Sequence, residues 1–80
     1  MITYHPSAAK LPNGKGFKPM VMLRKDAAGL PSAKGRMVGS KSGATVYTLK
    51  DDARNAAREA CHVAVAALAR DYPQFQARVA

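Results

Sequence analysis

The sequence predicts an α+β fold, a small antiparallel sheet of two or three strands followed by one long C-terminal helix packed on one face. Three observations carry this. Residues 17–25 alternate apolar and polar side chains with a period of two; residues 50–72 run without glycine or proline and place a row of alanines on one helical face; Pro73 then stops that run. Residues 1–16 read as a flexible or hairpin-forming N-terminal arm, and residues 17–80 as a single β-β-β-α domain.

The first strong punctuation is Pro12 to Gly16, where Asn13-Gly14 suits a type I′ hairpin turn. The strand it needs upstream is at best Ile2 to His5, cut short by Pro6. In the next strand Phe17, Pro19, Val21 and Leu23 alternate with Lys18, Met20, Met22 and Arg24, and Pro19, which has no N–H to give, implies an edge position or a strand start. Residues 26–35 read as a loop. Arg36 to Ser40 and Ala44 to Thr48 read as two more short strands joined by a Lys41-Ser42-Gly43 turn.

Thr48 followed by Asp51 has the layout of a capping box, and Asp51 and Asp52 put negative charge where the helix dipole favours it. Ala53, Ala56, Ala57, Ala60, Ala64, Ala67 and Leu68 share one face. Such small side chains let the helix approach a sheet closely but bury little area each. The bulk of the core is therefore expected from Phe17, Val21, Leu23, Val38, Val46 and Tyr47. The stretch Val63 to Ala69 is apolar on every side, and a helix apolar all round is covered all round. Two covers fit. Tyr72 and Phe75 fold back over Val65 and Ala69, or a second copy packs there in a symmetric dimer through Val63, Val65, Ala66 and Ala69.

At 80 residues a single core rarely supplies more than roughly 3–5 kcal/mol, so a partner is a natural source of further support. A lone cysteine excludes an intramolecular disulfide and, with no signal-peptide pattern, points to the cytoplasm. Cys61 to Ala69 falls far short of the roughly 20 apolar residues that cross a bilayer, so no membrane is expected.

Chemistry is sparsely provided. Glu59 and His62 stand at i and i+3, but no second histidine lies nearby to complete a metal site. Cys61 has no base, since His62 points about 100° away on the helix, and reads as a small buried side chain. Gly39 to Gly43 lacks the spacing of a phosphate loop. No catalytic residue, metal or cofactor is expected, and an enzyme is not.

The charge is the informative feature. The net charge of +8 lies wholly within residues 10–50, where nine basic side chains meet one acid, while residues 51–80 are neutral. Basic side chains do protect sheet edges, but that role accounts for two or three of them and not for nine. An anionic partner accounts for the rest, with nucleic acid first. On the second strand Lys18, Met20, Met22 and Arg24 share the face opposite Phe17, Val21 and Leu23. With one helix to cover one side of the sheet, that cation-and-methionine face stays open. Lys18, Arg24, Lys25, Lys34, Arg36 and Lys41 are the expected backbone contacts, whereas Arg70 and Arg78, in the neutral half, are expected to matter little. Few aromatics are available for stacking on single strands, which favours a duplex. The alternative is a protein-interaction module, homodimeric in one form, whose basic face docks onto an acidic protein.

The run Leu49 to Ala60 (LKDDARNAAREA) resembles the start of the last helix of double-stranded-RNA-binding domains, a lysine-rich K-K-x-A-K-x-x-A-A pattern that follows a three-stranded antiparallel sheet. The resemblance is partial: it covers the sheet and that helix, not the family's first helix, and Asp51 takes the place of its second lysine. It implies phosphate contacts at Lys50 and Arg54. The order of three strands and a helix is also similar to the small DNA-binding modules at the front of tyrosine integrases, which lay such a sheet in the major groove.

Overall fold

The computed structural model describes residues 2–25 and 36–80, with side chains from Gly39 onward in the second segment. The fold is α+β. Strands β1 (Ile2–Lys10), β2 (Phe17–Lys25) and β3 (Arg36–Ser42) precede helix α1 (Lys50–Asp71), and a short strand β4 (Ala77–Val79) follows it. The sheet order is β3-β2-β1-β4, with β4 parallel to β1 and the other pairs antiparallel, so the sheet is mixed rather than wholly antiparallel and has four strands where two or three are expected.

β1 is longer than the short, proline-terminated strand expected. It pairs with β2 from Ile2↔Lys25 to Lys10↔Phe17, straight through Pro6. The backbone phase explains why Pro6 is tolerated. Ile2 donates to the Gln76 carbonyl and Tyr4 accepts from the Ala80 amide, so the even residues of β1 turn their backbone groups toward β4, which pairs only with residues 2–4. The nitrogen of Pro6 points past the end of β4, where no ladder bond is lost. Pro19 obeys the same rule near the start of β2, one of the two positions expected; the other, an edge, does not hold, since β2 is an inner strand. The Pro19 carbonyl accepts from Gly43 at 2.8 Å just beyond the end of β3, where the chain is exposed to solvent.

The β1–β2 turn is a different one from the type I′ turn predicted. Gly14 donates to the Leu11 carbonyl at 2.9 Å, which puts Pro12 and Asn13 at the central positions. Among the described residues only Gly14 and Gly16 have positive φ, so Asn13 cannot meet the type I′ requirement. Its side chain instead accepts from the Lys15 amide at 2.9 Å.

The segment expected as a strand over 44–48 is an irregular connection. Only Tyr47 pairs, exchanging two 2.8 Å backbone bonds with Phe17. The helix cap also shifts by one residue. Leu49 is the N-cap, with no side-chain cap bond, and Thr48 lies outside it; Asp51 and Asp52 still occupy the first turn and Arg70 the last.

α1 lies across β1 and β2 and reaches β4. Its alanine face is what lets it approach: Ala53, Ala57 and Cys61 are fully buried against the sheet, with Tyr4 the large buried side chain opposite. The expected bulk is only half realised. Phe17, Val21, Leu23 and Tyr47 are half-buried, Val46 is 49% exposed, and the side chain of Val38 lies outside the described residues. After α1 the chain turns at Tyr72 to Phe75 and returns as β4. The tail therefore folds back, but onto the sheet edge rather than over the outer face of the helix.

Candidate nucleic-acid interface

The β1–β2 register sorts the sheet residues onto two faces. Tyr4, Pro6 and Ala8 stand opposite Leu23, Val21 and Pro19 on the helix side; Thr3, His5, Ser7 and Ala9 stand opposite Arg24, Met22, Met20 and Lys18 on the other. Lys18, Met20, Met22 and Arg24 thus occupy the sheet face that α1 does not cover. Six residues of extended chain separate the two cations, about 20 Å at the usual strand rise. Each is half-buried.

β4 adds to this face a residue expected to matter little. Arg78 is in register with Thr3, and its Nε donates to Thr3 Oγ1 at 3.2 Å. Thr3 is also the register partner of Arg24, so Arg24, Thr3 and Arg78 stand abreast on three neighbouring strands. Thr3 is only 1% exposed. The signal in the sequence is a three-residue strand, too short for its alternation to register. Next along β1, His5 Nε2 is buried without a hydrogen-bond partner among the described residues.

The other expected contacts are not on this face. Lys25 shares the helix side with Ile2 at the sheet end, beside Gln74, Phe75 and Gln76. Lys41 lines a groove on the helix side. Lys50 is exposed at the start of α1, and Arg54 stands 3.9 Å from Asp51 there. Arg36 is opposite Lys25 in register, and Lys34 lies outside the described residues.

That groove is a second feature. It has a volume of about 530 Å³ between the helix and the β3 side of the sheet, with Pro19, Val21 and Leu23 as its floor, Ala60, Val63 and Ala67 as its wall and Lys41 as the one charged residue. Val63 is 69% exposed at its rim. Of the four expected interface residues, Val63, Ala66 and Ala69 are exposed and Val65 is half-buried, on a different side of the helix from Val63.

Cys61 is a buried thiol whose ionisation is pushed up by desolvation, with the Arg58 charge partly opposing. Among the described residues no three His, Cys, Asp or Glu side chains gather as a metal site, and no helix is long and apolar enough to cross a membrane. Compared with protein-family models, curated proteins and solved structures, the chain matches none.

Proposed function

We propose that the protein is a small non-enzymatic nucleic-acid-binding accessory protein whose working surface is the sheet face opposite α1. The observation that carries the reading is the segregation of charge by face. All four acids of the described residues, Asp51, Asp52, Glu59 and Asp71, belong to α1, whereas Lys18, Arg24 and Arg78 stand on the far side of the sheet. A phosphate backbone approaching that side meets three cations and none of the four described carboxylates. Met20 and Met22, between the cations, supply adaptable apolar contact rather than a base code, so the reading is of backbone-led binding with modest sequence preference. Lys50 and Arg54 belong to the surface only through the resemblance to double-stranded-RNA-binding domains, since they sit on the helix.

The test is a titration against duplex DNA, duplex RNA and an acidic polypeptide at several salt concentrations. On duplex DNA, reversing Lys18 and Arg24 to Glu flattens the plot of log K against log salt by about 1.8, two contacts at about 0.9 each. Absence of nucleic-acid binding at low salt, or a slope unchanged by the double reversal, defeats the reading.

The groove beside Val63 favours a second reading, a protein-interaction module. Preferential binding of the acidic polypeptide, weakened by Lys41→Glu and Val63→Glu but not by the reversal of Lys18 and Arg24, would establish it in place of the first.

A further inference from the structure

We propose that the groove between α1 and the β3 side of the sheet is a binding site for an aliphatic monocarboxylate, its chain lying on Val21 and Leu23 and its carboxylate meeting Lys41. The site lies on the helix side of the sheet, away from Lys18 and Arg24, so it goes beyond the nucleic-acid reading and neither depends on the other. The groove follows from the alanines of the helix. On this side α1 carries Ala60, Ala64 and Ala67, too small to cover Val21 and Leu23, which stay half-buried beneath an open space of about 530 Å³. That volume falls within the roughly 300–1,000 Å³ of small-molecule sites. An apolar chain laid there removes from water the surface that the protein's own side chains leave wet.

Lys41 sets the charge of the occupant. It is the register partner of Val21 between β3 and β2, which puts it on the helix side of the sheet at the outer rim of the groove. It is also the one charged residue of the lining, where Tyr4 and Ser42 are the other polar side chains. One ammonium on an otherwise apolar lining matches a ligand with one anionic head and a hydrocarbon body, which brings no further hydrogen-bonding group to satisfy. A second copy of the chain fits the space less well. Of the exposed large apolar side chains among the described residues, only Val63 borders the groove. Two α1 helices brought together there would set alanine against alanine and leave the floor uncovered.

The experiment titrates the full chain with octanoate, decanoate and the cation decyltrimethylammonium, each below its micelle concentration, by calorimetry and by methyl NMR. Decanoate should bind once per chain and shift the methyl signals of Val21, Leu23 and Val63. It should bind about 15-fold more tightly than octanoate, about fourfold for each buried methylene. Lys41→Gln should weaken decanoate about fivefold at low salt, the scale of an exposed ion pair, whereas Lys18→Gln on the other sheet face should leave it unchanged. Ala64→Met, which fills the groove from its wall, should remove most of the affinity; if that variant melts earlier, Ala60→Met, at an exposed position on the same wall, takes its place. Decyltrimethylammonium binding as tightly as decanoate, an affinity unmoved by Lys41→Gln, or methyl shifts at Met20 and Met22 in place of Val21 and Leu23 overturns the site. So does the absence of decanoate binding, or a dimer that Val63→Glu separates and decanoate does not, which gives the groove to a second copy. None of these results touches the nucleic-acid reading, which stands or falls on duplex binding.

Discussion

A Cβ on Gly16 would stand 2.9 Å from the Tyr47 carbonyl oxygen and 2.8 Å from Val46 Cγ1, and Gly16 is also held at φ +142°. The end of the β1–β2 hairpin and the connection into α1 therefore touch through a residue that tolerates no side chain. Gly16→Ala should cost about 3 kcal/mol, from backbone strain and overpacking together, read by chemical denaturation. Gly39→Ala is the control. It has no positive φ and nothing within 4 Å of the added carbon, so it should change stability by less than about 0.5 kcal/mol.

Cys61 should react slowly with thiol reagents in the folded protein and quickly once denatured, because its sulfur is buried against the sheet. Its folded pKa is raised above the unfolded value by desolvation. The unfolded chain therefore loses the thiol proton first, and stability contributed below the unfolded thiol pKa of about 8.5 is lost as pH rises through the folded value. Cys61→Ala should flatten the fall in stability above that pH while leaving any partner binding intact.

Val63→Glu separates surface from core. At 69% exposure the valine contributes little to the fold, so the substitution should shift stability by less than about 0.5 kcal/mol. If two copies meet through the groove, light scattering of the unmodified chain gives about twice its 8.5 kDa mass, and Val63→Glu returns it to the monomer. Val65→Glu is the poorer probe, because Val65 is half-buried and the charge would disturb the fold as well.

The rings of Tyr72 and Phe75 meet edge to face at 6.3 Å, and both remain more than half exposed. Phe75→Ala should therefore cost about 1 kcal/mol, the scale of an aromatic pair, rather than the roughly 3–5 kcal/mol of a buried phenylalanine. A larger loss in thermal unfolding would mean that this turn anchors β4 more strongly than its exposed rings imply.

The legible parts of the sequence were those governed by local pattern. The alternation of residues 17–25 locates β2 and its two faces, and the uninterrupted run before Pro73 locates α1. What escaped depends on partners distant in sequence. Pro6 reads as a strand breaker until β4 is seen to stop at the level of Tyr4, and Pro19 fits an edge or a strand start equally until β2 is seen to begin at Phe17 between β1 and β3. The segment around Tyr47 has strand-like composition, yet most of it finds no partner strand, and only Tyr47 does. The same limit applies to the candidate interface. Lys18 and Arg24 are read off one strand, but Arg78 reaches their face through a pairing with Thr3 that spans 75 positions, whereas Lys41, close to them in sequence, is carried to the opposite side.

That long-range pairing bears on how the molecule comes together during synthesis. β1 leaves the ribosome before every other strand described, yet its Tyr4 edge is enclosed only when residues 77–79 arrive. Until then the hairpin and helix can assemble around a strand with one open flank, a template on which a neighbouring nascent chain could add a strand of its own. The three residues of β4 thus act as a closing tab. Chain shortened before Ala77 should be judged by its tendency to self-associate as well as by its stability.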